Sequence, residues 1–229
     1  MIQENLEKIR TTIETYAAKA GRRPEEITIL GATKSVPPER IKKAARLGIR
    51  LFGENRVQEA QKKIPQVRIP GISWHMIGHL QRNKAKQAVQ LFDMIESVDS
   101  IKLAQELQKR LPEGRQLEIL VEVNTSGEPT KYGLPPDEDQ ILPFMEKILG
   151  CCPSLVPRGL MTLGPYPPEE KRSRRSFALL RALRDRLEEE FGLSLPVLSM
   201  GMSEDYPWAI LEGATLVRIG RALFGPREE

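Results

Sequence analysis

Lys34 follows the first strongly β-forming run of the chain, Ile27-Thr28-Ile29-Leu30-Gly31-Ala32-Thr33. An amine held at a strand end is a nucleophile toward carbonyl compounds, with which it forms a Schiff base. Other candidate residues stand at or just past the ends of later runs: Asn55, His79, Asn124, Met161, Ser203 and Arg218. Two glycine-bearing stretches, Ser199-Met200-Gly201-Met202-Ser203 and Arg218-Ile219-Gly220-Arg221, belong to the last two. Small residues at such turns let backbone N–H groups approach an anion, so a phosphorylated ligand suits them. Each residue also has an ordinary reading when taken alone. A strand-end lysine is commonly just solvated, His79 can serve as a structural hydrogen-bonding side chain, and Asn55 and Asn124 are good turn formers.

These residues need a scaffold that gathers strand ends on one face. The chain opens with Ile2, Leu6, Ile9, Ile13 and Tyr16 on one helical face, and Gly21 stands where a C-cap glycine belongs. Strands are then predicted at 27–33, 49–52, 72–77, 93–98, 117–123, 156–162, 196–198 and 216–219. Helical stretches separate them. Pro37 and Pro38 suit a first helical turn, Asp99 can cap the helix after the fourth strand, and Pro143 predicts a kink or a later helix start. Eight strands alternating with helices imply parallel pairing and right-handed crossovers. The prediction is a single (β/α)8 barrel over residues 1–229, with an extra helix in front. A doubly wound open sheet is the alternative, but its Gly-x-Gly-x-x-Gly turn is missing after the first strand. In the barrel, strand one neighbours strand eight, which brings Lys34 within reach of a carbonyl on the phosphorylated ligand.

Composition narrows the function classes. The net charge is +4, with 35 basic and 31 acidic residues spread along the chain, and aromatic residues make up only 5%. Neither suits a nucleic-acid platform. The basic run Lys171, Arg172, Arg174 and Arg175 precedes the acidic run 188–190 in one helical stretch, against the macrodipole, and reads as a solvated face. No apolar run reaches the ~20 residues that a membrane span needs. The N-terminus is unlike a signal or transit peptide. Cys151 and Cys152 are adjacent and have no other cysteine to pair with, and His75 and His79 lack the partners of a metal site. A cytoplasmic protein with no disulfide framework is expected.

At this point the chain resembles the pyridoxal phosphate homeostasis proteins (the YggS/PROSC family) over nearly its whole length. The resemblance rests on Ala32-Thr33-Lys34, on Phe52-Gly53-Glu54-Asn55, and on the run from Trp74-His75-Met76-Ile77-Gly78-His79 to Lys84. It continues through Val123-Asn124 to Lys131-Tyr132-Gly133, Arg158-Gly159-Leu160-Met161-Thr162, Leu198 to Ser203, and Val217-Arg218-Ile219-Gly220.

The resemblance implies a fold similar to the barrel domain of alanine racemase, with pyridoxal 5′-phosphate bound as a Schiff base on Lys34. Ser203, Gly220 and Arg221 match the phosphate cradle, and Arg218 matches the arginine facing the pyridine nitrogen. Asn55, His79 and Met161 match residues around the cofactor. At the position of Arg221 the family often has a small hydroxyl residue, so the role of its guanidinium is open. The resemblance also implies vitamin B6 homeostasis, with an indirect effect on amino-acid and keto-acid metabolism, rather than robust catalysis. Alanine racemase completes its site with a second domain for which this chain has no room. An open cofactor face suits exchange with apoenzymes or free amines better than proton abstraction. A weak racemase, or another pyridoxal enzyme of the same fold type, is the alternative. A sugar-phosphate barrel without cofactor is a third reading. A monomer is expected, because no broad apolar surface stripe is evident.

Overall fold

The computed structural model describes residues 1–226; the last three residues of the 1–229 expectation lie outside it. Eight parallel strands close into a barrel in chain order. They are β1 Thr28–Ala32, β2 Leu51–Glu54, β3 Ser73–Met76, β4 Met94–Val98, β5 Leu117–Glu122, β6 Leu155–Met161, β7 Val197–Met202 and β8 Leu216–Ile219. Closure is made by β8 against β1, with Leu30 opposite Arg218 and Gly31 opposite Ile219. Helices follow the strands: α2 Pro38–Arg46, α3 Val57–Lys63, α4 Ala85–Leu91, α5 Ile101–Arg110, α6 Glu138–Cys151, α7 Glu170–Phe191, α8 Tyr206–Leu211 and a short α9 Arg221–Phe224. The extra helix in front is α1 Ile2–Lys19, whose buried face is the predicted Ile2, Leu6, Ile9 and Ile13. Gly21 takes a left-handed φ of +66° just past its end.

Strand alternation sorts side chains between two environments. Outward-facing residues such as Phe52, Ile95, Ile119 and Val217 pack under the helices in the main core. Inward-facing residues fill the lower barrel in two clusters, Leu30 with Ile77 and Leu216, and Met94 with Leu120 and Met161. Above that apolar floor the inward positions turn polar: Glu96, Glu122, Ser199 and Arg218 are all buried.

Several boundaries differ from expectation, each for a local reason. The second strand was placed at 49–52, but Gly48 (φ +101°) turns the chain at the end of α2 and the Ile49 N–H bonds back to Ala44. Pairing with β3 then carries β2 through Glu54. The seventh strand runs on to Met202, because a register irregularity between Ser199 and Met202 lets it stay paired with β8. Ser100, not Asp99, caps α5, accepting from the Leu103 N–H. Helix α6 starts at Glu138 and runs through Pro143, so the later start is not found. The carbonyl that Pro143 cannot serve belongs to exposed Asp139, where water satisfies it at little cost. The acidic end of α7 is paired one turn back, Arg184 with Glu188 and Arg186 with Glu189 and Glu190, which offsets the unfavourable dipole order.

Candidate functional site

A cavity of about 580 Å³ opens at the C-terminal face of the barrel, against strands β1, β2, β7 and β8. Lys34, Asn55, Ser203, Arg218, Gly220 and Arg221 all line it. Strand β1 stops at Ala32, so Lys34 sits in the turn two residues beyond it, exposed rather than buried. The turn is tight: Val36 N–H bonds to Thr33 O, and Ser35 adopts a left-handed φ of +59°. Asn55 is half-buried just past β2, where the Asn55 backbone packs so close to Gly78 that a Cβ there would fall 2.4 Å from the Asn55 carbonyl oxygen.

The last two turns are tied together. Ser203, after β7, accepts from the Ala222 N–H in the first turn of α9 at 3.1 Å. That bond leaves the serine hydroxyl proton available to an anion. Gly220 follows β8 and lies beside Ala32, since a Cβ would meet the Ala32 carbonyl at 3.5 Å. Arg221 lines the rim with its guanidinium paired to Glu204.

Arg218 is a permanent cation 3% exposed, and an organised network holds it. It donates through Nη1 to Ser199 O at 2.8 Å and Ser199 Oγ at 2.6 Å, and through Nη2 to Thr162 O at 2.7 Å. Ser199 donates to Glu96 Oε2 at 2.6 Å, and His75 Nδ1 lies 2.7 Å from Glu96 Oε1. Burial alone would raise the Glu96 carboxyl, but His75, Arg218 and Ser199 outweigh it and hold it below its ordinary value. Glu122 has no such help. Burial, reinforced by Asp99 and Glu96 and opposed by Arg218, pushes it up to about 7, and its Oε2 has no hydrogen-bond partner among the described residues.

His79 and Met161 stand apart from the cavity wall. Met161 is fully buried beside Met94 and Leu120 in the barrel floor. His79 stacks on Tyr132 with ring centroids 3.7 Å apart, and its Nδ1 lies 3.5 Å from Asp99 Oδ2. Asn124 is a loop tie: its amide donates to Glu128 O and Lys131 O, which presents Lys131 to the cavity. Sequence reasoning gave no role to Lys131, Arg40 or the 163–168 segment on the cavity wall. It also missed Glu96, which lies fully buried in β4. Among the described residues no His, Cys, Asp and Glu cluster suits a metal ion, and no helix is long and apolar enough to cross a membrane.

Residues 3–228 match the family model described as the alanine racemase N-terminal domain. The pyridoxal phosphate homeostasis protein of Aquifex aeolicus is 42% identical over 226 residues, which is 98% of each chain. The Homo sapiens protein of the same name is 37% identical over 240 residues, covering 96% of this chain and 86% of that one. This chain belongs to the pyridoxal phosphate homeostasis protein family. A solved structure of PipY from Synechococcus elongatus with pyridoxal phosphate bound superposes with a TM-score of 0.84 at 34% identity, over 98% of this chain and 100% of that one. Alanine racemase of Clostridium difficile superposes with a TM-score of 0.75 at 17% identity over 97% of this chain and 56% of its own, a likeness of fold alone. The relatives at high coverage carry the name of homeostasis proteins, not of enzymes.

Proposed function

We propose that this family member holds pyridoxal 5′-phosphate at the barrel mouth and serves as a cytoplasmic reservoir and donor of that cofactor. One observation carries the reading: a single cavity is lined by the Lys34 amine, the small-residue turns at Ser203 and Gly220, and the buried Arg218. The residues fit the group chemically. Ser203 Oγ–H and backbone N–H groups at Gly220 and Arg221 would receive a phosphate, while the Arg221 guanidinium at the rim is already paired with Glu204. Arg218, fixed in charge, would keep a ring nitrogen facing it unprotonated. Asn55 would line the ring, whereas Met161 and His79 lie outside the cavity wall and would act only from behind it. Bound there, the cofactor supplies an aldehyde carbon that condenses reversibly with a primary amine, releasing water. Lys34 provides that amine from an exposed turn.

Exposure also supports exchange over turnover. Proton abstraction at carbon is helped by a site closed to water, whereas Lys34 faces solvent. Apoenzymes and free amines are the recipients in this reading, and neither nucleic acid nor membrane takes part. Transfer tests it: the loaded protein, mixed with a pyridoxal-dependent apoenzyme, is expected to restore activity while the absorbance of the bound cofactor declines. Steady exchange of an amino acid's α-hydrogen for deuterium, lost in Lys34→Ala, would instead make the protein a weak racemase-like enzyme.

A further inference from the structure

The turn that carries Lys34 is fastened from behind by a buried ion pair that takes no part in the cavity wall. Thr33 is fully buried and donates its hydroxyl to Glu54 Oε1 at 2.5 Å, with Gly53 O at 3.0 Å. Lys63, the last residue of α3, donates to Glu54 Oε1 at 2.5 Å and to the Thr33 carbonyl at 2.7 Å. A second carboxylate, Glu59 Oε2, lies 3.7 Å from the same ammonium and accepts from the Ser35 N–H at 3.4 Å. The residues on both sides of Lys34 are thus gripped from α3 and the end of β2.

Stability alone is poorly served by this arrangement. Glu54 has no exposed surface, its Oε2 has no hydrogen-bond partner among the described residues, and apolar side chains of similar volume commonly replace such buried pairs without loss. Ser35 meanwhile keeps a left-handed backbone that persists only where its surroundings over-determine it. Together these features fix the direction in which the Lys34 side chain leaves the backbone.

We infer that Lys63 and Glu54 are positioning residues for Lys34, holding its amine aimed into the cavity. The inference rests on the cofactor reading above. The step they assist is a condensation without oxidation or reduction. Lys34 Nζ, as free amine, forms a bond to the aldehyde carbon, and the carbonyl oxygen leaves as water with both amine hydrogens. Aim affects the rate of this step, while the phosphate and ring contacts are made by other residues. A misplacement of about 1 Å at a reacting atom costs up to about a hundredfold in rate.

The test compares wild type, Lys63→Met and the double variant Glu54→Leu/Lys63→Met, the last leaving no unpaired buried charge should the single variant fold poorly. Two readouts are taken: the rate at which the band at about 420 nm grows on mixing with pyridoxal 5′-phosphate, and the affinity for pyridoxine 5′-phosphate, which has an alcohol in place of the aldehyde. The inference predicts a rate at least about tenfold lower in the folded variants, with pyridoxine 5′-phosphate affinity within about twofold of wild type. An unchanged rate in the folded double variant would overturn it, as would equal losses in both readouts. No band in wild type would instead overturn the cofactor reading itself.

Discussion

Beneath the cavity, Glu96 and Glu122 are both buried and differ in their partners. Glu96 is satisfied by His75 and Ser199 and stays ionised, whereas Glu122 carries the unpaired Oε2 and titrates at about 7. Unfolded, Glu122 loses its proton near 4.5, while folded it keeps it to about 7, so the folded state binds more protons between those values. Stability therefore falls as pH rises through that window, by at most about 3 kcal/mol from this group. Glu122→Gln is expected to stabilise the protein by about 1–3 kcal/mol at pH 8 and to change little at pH 5. Denaturant melts at the two pH values check this; an equal effect at both would refute the assignment. Lys34, Ser203 and Arg218 were legible in the sequence because a strand end or a glycine turn marks each. Glu122 and Glu96 were not. In strands buried on both faces, apolar residues occupy inward and outward positions alike, and alternation no longer says which side a carboxylate takes.

The turn after β7, at which we propose the phosphate is held, depends on one backbone conformation. Gly201 in β7 has φ +91°, and a Cβ there would lie 2.6 Å from Ala209 Cβ and 2.8 Å from Tyr206 Cα. Gly201→Ala must push α8 outward and drag Ser203 with it. A loss of about 2–4 kcal/mol is expected, with weaker binding of inorganic phosphate. Gly114→Ala, also at positive φ but facing open space, should cost about 1 kcal/mol and leave phosphate binding alone. Comparable losses in both variants, by thermal melt and phosphate titration, would remove Gly201 from the site's architecture. At this scale the strand count and order were readable from periodicity. The errors fell where a tertiary contact overrode the local pattern, as with Ile49 folding back on α2, Ser100 taking the cap while Asp99 turns toward His79, and β7 extending past Leu198 through an irregular register.

Closure of the barrel brings distant sequence positions into one site, with Lys34 in the turn after the first strand and Arg218 on the last, two strands far apart in the chain but paired in space. That closure followed from eight alternations together with the missing Gly-x-Gly-x-x-Gly turn that an open doubly wound sheet would carry. Large apolar side chains exposed among the described residues number five, too few for an obligate interface, and a monomer is proposed. Sedimentation should give the mass of one chain with or without cofactor. Pyridoxal phosphate at about a hundred times its dissociation constant should add about 2.7 kcal/mol and raise Tm by about 5–10 °C, and inorganic phosphate at the same concentration much less. The central claim is the bond to Lys34, and absorbance tests it most directly. Wild type with pyridoxal 5′-phosphate should show a band at about 420 nm that borohydride abolishes and that Lys34→Ala lacks. The same band in Lys34→Ala would put the cofactor on another lysine and contradict the account.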